Sequence, residues 1–108
     1  MSQELPIVAV REPKVTVFVS IGNVGSALNF HDWSSFHREM SDMLVRSGAK
    51  FHDELFSSPT AAWQTACWCI DVKPGIIDRL KGELAAIGAQ YGRGLIGWNE
   101  IASSVLLG

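Results

Sequence analysis

The sequence predicts an α+β domain built from a four-stranded antiparallel sheet with two helices on one face. Three observations lead there. Apolar residues recur at period two, then at 3.6, in the order strand, helix, strand, strand, helix, strand. Glycine, proline or a polar cluster punctuates the segments. The length of 108 residues, 47% apolar and 19% charged, suits one domain with a core of its own. The order β-α-β-β-α-β is the ferredoxin-like pattern. Two right-handed crossovers place both helices on the same face and give strand order 4-1-3-2, with strands one and three central.

Residues 1–13 hold two prolines and scattered charge without a period, and read as an N-terminal tail before a single domain over 14–108. Residues 14–21 form the clearest strand. Val15, Val17, Val19 and Ile21 share one face, and Thr16, Phe18 and Ser20 the other. Gly22-Asn23 and Gly25-Ser26 break it. Asn29 is placed to cap a helix over 30–47. Trp33, Phe36, Met40, Met43 and Leu44 fall on its single apolar stripe, and Gly48 is a suitable stop.

Residues 49–57 read as a second strand, followed by the turn Ser57-Ser58-Pro59-Thr60. Residues 62–72 read as a third, rich in aromatic and β-branched side chains, with a helix over 60–66 as the alternative. Pro74 fits the first turn of a helix whose stripe is Ile76, Ile77, Leu80, Leu84, Ile87 and Tyr91. Gly82 and Gly88 weaken that helix or allow close packing on the sheet, and Gly92 and Gly94 end it. Residues 95–101 suit the last strand, and 102–108 a short apolar tail.

Charge excludes several function classes. The net charge is −2, and no basic stripe of the kind that neutralises phosphates is visible, so nucleic acid is not an expected partner. No apolar run approaches the length of a membrane span, and residues 5–10 are too short for a signal-peptide core. Two closely spaced cysteines do not make a disulfide framework, so a reducing cytoplasm is the expected compartment.

Two helices cover only one face of such a sheet. The better core sets are Val15/Val17/Val19/Ile21 and Ala66/Trp68/Ile70/Val72. The uncovered face should then carry Phe18 and Ser20 beside Trp63, Cys67 and Cys69. An apolar patch of this kind marks an interface, and pairing with a second copy is the expected use. A small-molecule pocket is the alternative, and nucleobase stacking a more distant one.

The Cys67-Trp68-Cys69 pair points to one face at a spacing awkward for an intrachain disulfide. It reads as two small half-buried residues rather than as half of a zinc site, for which His52 alone is well placed. The Gly22-x-x-Gly25 loop meets neither phosphate-binding pattern, leaving Ser20, Asn23 and Ser26 as candidates for polar ligand contacts. His52 and Asp53 are neighbours in a strand and should point to opposite faces, so they do not form a base and its orienting carboxylate. His31 and His37 lie on different faces of their helix and make no metal pair. No catalytic set and no cofactor is indicated.

At residues 17–23, Val-Phe-Val-Ser-Ile-Gly-Asn, and 56–69, Phe-Ser-Ser-Pro-Thr-Ala-Ala-Trp-Gln-Thr-Ala-Cys-Trp-Cys, the chain resembles a group of short, uncharacterised proteins of actinobacteria and their phages. The resemblance spans residues 14 to about 100. It implies a phage or accessory gene product, a class in which small proteins often bind and block a host factor. The combined expectation is a small non-enzymatic binding protein, homodimeric through the open face. A ligand-sequestering module, or a small enzyme with a pocket beside residues 22–29, is the alternative.

Overall fold

A computed structural model describes residues 13–58, 63–92 and 96–101, with the side chain of Ser26 left out. Six main elements follow in order: β1 (Val15–Gly22), α1 (Phe30–Arg46), β2 (Lys50–Phe56), β3 (Thr65–Val72), α2 (Ile77–Gln90) and β4 (Gly97–Ile101). The strands form one antiparallel sheet of order β2-β3-β1-β4, the expected order read from the other edge. The fold is ferredoxin-like.

The helices begin and end for identifiable reasons. Asn29 caps α1, its side-chain oxygen accepting from the Asp32 amide at 2.8 Å. Gly48, at φ +82°, turns the chain out of the helix in the left-handed conformation that a side chain disfavours. Pro74 opens a single 3₁₀ turn, Pro74–Ile76, that runs into α2. Gly92, at φ +69°, ends α2 in the same way as Gly48 ends α1. Gly82 is exposed, with open space where a side chain would start, so it does not serve close packing on the sheet; Gly88 is buried.

Alternation decides the core. Val17, Val19, Ile21, Ala66, Trp68, Ile70 and Val72 point to the helices and are nearly inaccessible. Trp33, Phe36, Met40 and Leu44 from α1 and Leu80, Leu84 and Ile87 from α2 complete a single cluster, with Met43, Ile76, Ile77 and Tyr91 packed at its edge. Tyr91 stacks on Phe36 at 5.1 Å and donates its hydroxyl to Glu39, which ties the end of α2 to α1.

Some boundaries differ from expectation. β3 starts at Thr65, so Trp63 precedes the strand. The tail at 1–12, Pro59 and Thr60 of the turn, residue 62 of the third strand, Gly94, residue 95 of the last strand and the segment 102–108 lie outside the described residues.

Candidate functional site

The uncovered face of the sheet is readable row by row from the register. One row runs Lys50, Asp71, Thr16, Ile101, with His52 beside it. The next runs Asp53, Cys69, Phe18, Asn99. The third runs Leu55, Cys67, Ser20, Gly97. Polar groups gather at one end and apolar ones toward the other. Phe18 is 40% exposed and Leu55 62%, while Ser20, Cys67 and Cys69 are half-buried.

Of the expected site residues, Phe18, Ser20, Cys67 and Cys69 come together as adjacent partners on the two central strands. Trp63 does not join them through the sheet. It is exposed in the segment before β3, where strand alternation no longer sets its direction. Asn23 is turned inward and is fully buried. Its amide nitrogen donates to the Leu28 carbonyl at 2.9 Å and to Gln64 Oε1 at 2.8 Å, and its oxygen accepts from the Leu28 amide at 2.8 Å. Both its side-chain donors are spent on the loop, so Asn23 is a staple of the β1–α1 connection rather than a ligand contact.

His52 behaves differently from expectation because β2 is irregular. The register against β3 shifts between Phe51 and Asp53. The extra residue of a bulge re-aims side chains, and it brings Asp53 opposite Cys69 on the open face, the face that also holds His52. His52 nevertheless takes a different carboxylate. Its Nε2 lies 2.8 Å from Asp71 Oδ2, while Thr16 donates to Asp71 Oδ1 at 2.5 Å. Three strands are thereby tied across the polar end of the face. Burial pushes the Asp71 carboxyl up, but the hydrogen bonds from Thr16 and His52, with the charges of His52 and Lys50, outweigh it and hold the group below 3.8.

The cysteines are free. Burial pushes both thiols above their ordinary value. At Cys69 the carboxylate of Asp71, the Cys67 sulfur and the carboxylate of Asp53 push the same way. Both are therefore protonated at neutral pH, the opposite of an activated thiolate. Among the described residues no three histidine, cysteine or acidic side chains converge as a metal site.

Ser20 has a specific neighbour. A Cβ on Gly97 would collide with Ser20 Oγ, so the missing side chain on β4 is what makes room for this hydroxyl.

A second cluster lies on the helix-covered side, and sequence reasoning missed it. Trp68 Nε1 donates to Glu54 Oε2 at 3.0 Å, and His37 Nε2 approaches the same oxygen at 3.4 Å. The His37 ring stacks on Trp68 at 5.3 Å and meets the edge of Phe56 at 5.6 Å. The bulge is again the cause: it returns Glu54 and Phe56 to the helix side, opposite Trp68 and Ala66. A strict period-two reading carries no signal for that shift.

Among the described residues no helix is long and apolar enough to cross a membrane. Comparison of the chain with protein-family models and with curated proteins finds no match.

Proposed function

We propose that this protein is a small non-enzymatic binding protein that acts as a homodimer packed through its open sheet face. The observation carrying this reading is the exposure of Phe18 and Leu55 beside two half-buried thiols on a sheet face that no described element covers. Apolar surface gathered in this way favours removal from water. The polar end carries both signs, Lys50 with Asp53 and Asp71, so a second copy meets no uniform like-charge field.

Size sets the expected strength. Four strands about 4.8 Å apart and about seven residues long present roughly 450 Å². Two copies then bury roughly 900 Å² before side-chain relief is counted, near the lower end of specific interfaces at about 1,000 Å². The expected dimer is a small, reversible one rather than an obligate one.

Sedimentation equilibrium over low to high micromolar concentration tests the reading. The expected result is a monomer–dimer equilibrium that Phe18→Asp moves to monomer. A wild-type protein that remains monomeric at high micromolar concentration overturns it.

A second reading has its own observation. A shallow hollow of about 490 Å³ lies at the apolar end, lined by Ser20, Leu55, Ser57, Thr65 and Cys67 among others. Three hydroxyls over an apolar floor suit a small polar ligand. Retention of a small molecule in native mass spectra of protein purified gently from cells would favour this reading over the dimer.

A further inference from the structure

The cluster around His37 borders a groove between the start of α1 and the end of β2. Phe30, Trp33, His37 and Phe56 line it together with Ser34 and Ser57, around a cavity of about 210 Å³. The rings lie in different planes. His37 meets Phe56 at 68° and Trp33 at 42°, so the groove is walled by π systems rather than closed by a stack. Phe30 and Phe56 are among the most exposed large apolar residues described, at 63% and 65%.

Charge separates the ligand classes. Behind the His37 ring stands the Glu54 carboxylate, which accepts one hydrogen bond from Trp68. His37 Nε2 is buried beside it and has no hydrogen bond. Phe30, Trp33 and Phe56 supply aromatic surface, and the face of such a ring carries the negative side of its quadrupole. Among the described residues, lysine and arginine are absent from the lining. The one ionisable residue of the described lining, His37, stands 3.4 Å from the Glu54 carboxylate, so the pair presents no net positive charge to repel a cation. The groove's size is below that of pockets for drug-sized molecules, so a compact head group fits. A primary ammonium carries three donors and is strongly hydrated, while the lining offers few acceptors beyond two serine hydroxyls. A methylated ammonium has no such donors to satisfy and binds through ring faces.

We propose that this groove is a binding site for a quaternary ammonium group, caged by Phe30, Trp33 and Phe56 in the field of Glu54. The proposal is distinct from the dimer, since Phe18 does not line this groove, although Phe56 and Ser57 border both the groove and the hollow on the open face.

The test uses the full chain, with choline chloride and its neutral carbon isostere 3,3-dimethylbutanol as probes at constant ionic strength. Tryptophan fluorescence and calorimetry provide the readout. Choline should bind saturably in the millimolar range, at least about fivefold more tightly than the isostere, because only the cation gains from the ring faces and the carboxylate. Phe30→Ala and Phe56→Ala change exposed residues, leave the fold intact, and should each weaken choline binding about fivefold. Glu54→Gln keeps the shape of the groove and should reduce the preference for choline over the isostere. Equal binding of the two probes overturns the proposal in favour of a merely apolar groove. Absence of saturable choline binding also overturns it. Phosphatidylcholine vesicles form a second arm once choline binds: sedimentation with vesicles that choline competes away assigns a lipid head group, and no sedimentation assigns a free ligand.

Discussion

Strand β3 presents two different surfaces on alternate residues. Ala66, Trp68, Ile70 and Val72 face the helices and are at most 3% accessible. Cys67, Cys69 and Asp71 face away and remain half-buried, with no described element over them. The covered face is held by close packing, where each side chain touches many others and loss of volume is costly. The open face is held by the sheet beneath it and by a few polar ties such as Thr16–Asp71–His52. Substitutions on the first face should change folding, and substitutions on the second should change association.

The largest expected effect is at Trp68. Trp68→Ala empties the centre of the covered face and frees Glu54 from its indole donor. A loss of about 3–5 kcal/mol is expected from urea unfolding, with no separate effect on dimerisation beyond the loss of folded protein. Asn23→Ala comes next. It leaves the Leu28 amide and carbonyl and Gln64 without their partner inside a closed loop. A cost of about 2–3 kcal/mol is expected by the same measurement.

Gly97→Ala probes the contact between a central and an edge strand. The new methyl group meets Ser20 Oγ, and a cost of about 1–2 kcal/mol is expected. Combining it with Ser20→Ala should recover part of that loss, which a double-mutant cycle would measure as coupling between the two positions. Independent, additive effects would show that the hydroxyl simply rotates away.

Acid titration sharpens the comparison at the polar end. The Asp71 carboxyl is lower in the folded protein than in the unfolded chain, so its ties stabilise the fold above the unfolded value of 3.8. That contribution is lost as pH falls below 3.8 through the folded value. Thr16→Val should flatten the pH dependence of stability in this window, read from denaturation midpoints between neutral pH and acid. The smallest effect on folding is expected at Phe18. Phe18→Asp should change monomer stability by less than about 1 kcal/mol while weakening self-association at least about tenfold.

Much of this was legible in the residues themselves. The period-two pattern of 15–21 and 66–72 assigns each residue to its face, because a pleated strand admits only two directions. Asn29, Gly48 and Pro74 mark helix ends through local bonding and φ constraints, which need no tertiary partner. Strand order followed from connection rules, and the meeting of Phe18 with Cys69 and Ser20 with Cys67 followed from that order.

The remainder depends on how strands dock. Asn23 looks like any polar turn residue until Gln64, far along the chain, closes over it. The choice of Asp71 by His52, and the gathering of Glu54, His37, Trp68 and Phe56, follow from one bulge in β2. A bulge shifts every later side chain of its strand to the other face, and its place is set by the fit against β3 rather than by propensity. Local pattern therefore determined the elements and the two faces of the central strands, while the register of an edge strand decided which side chains meet across them. Periodicity is a property of the chain, whereas register is a property of the pair.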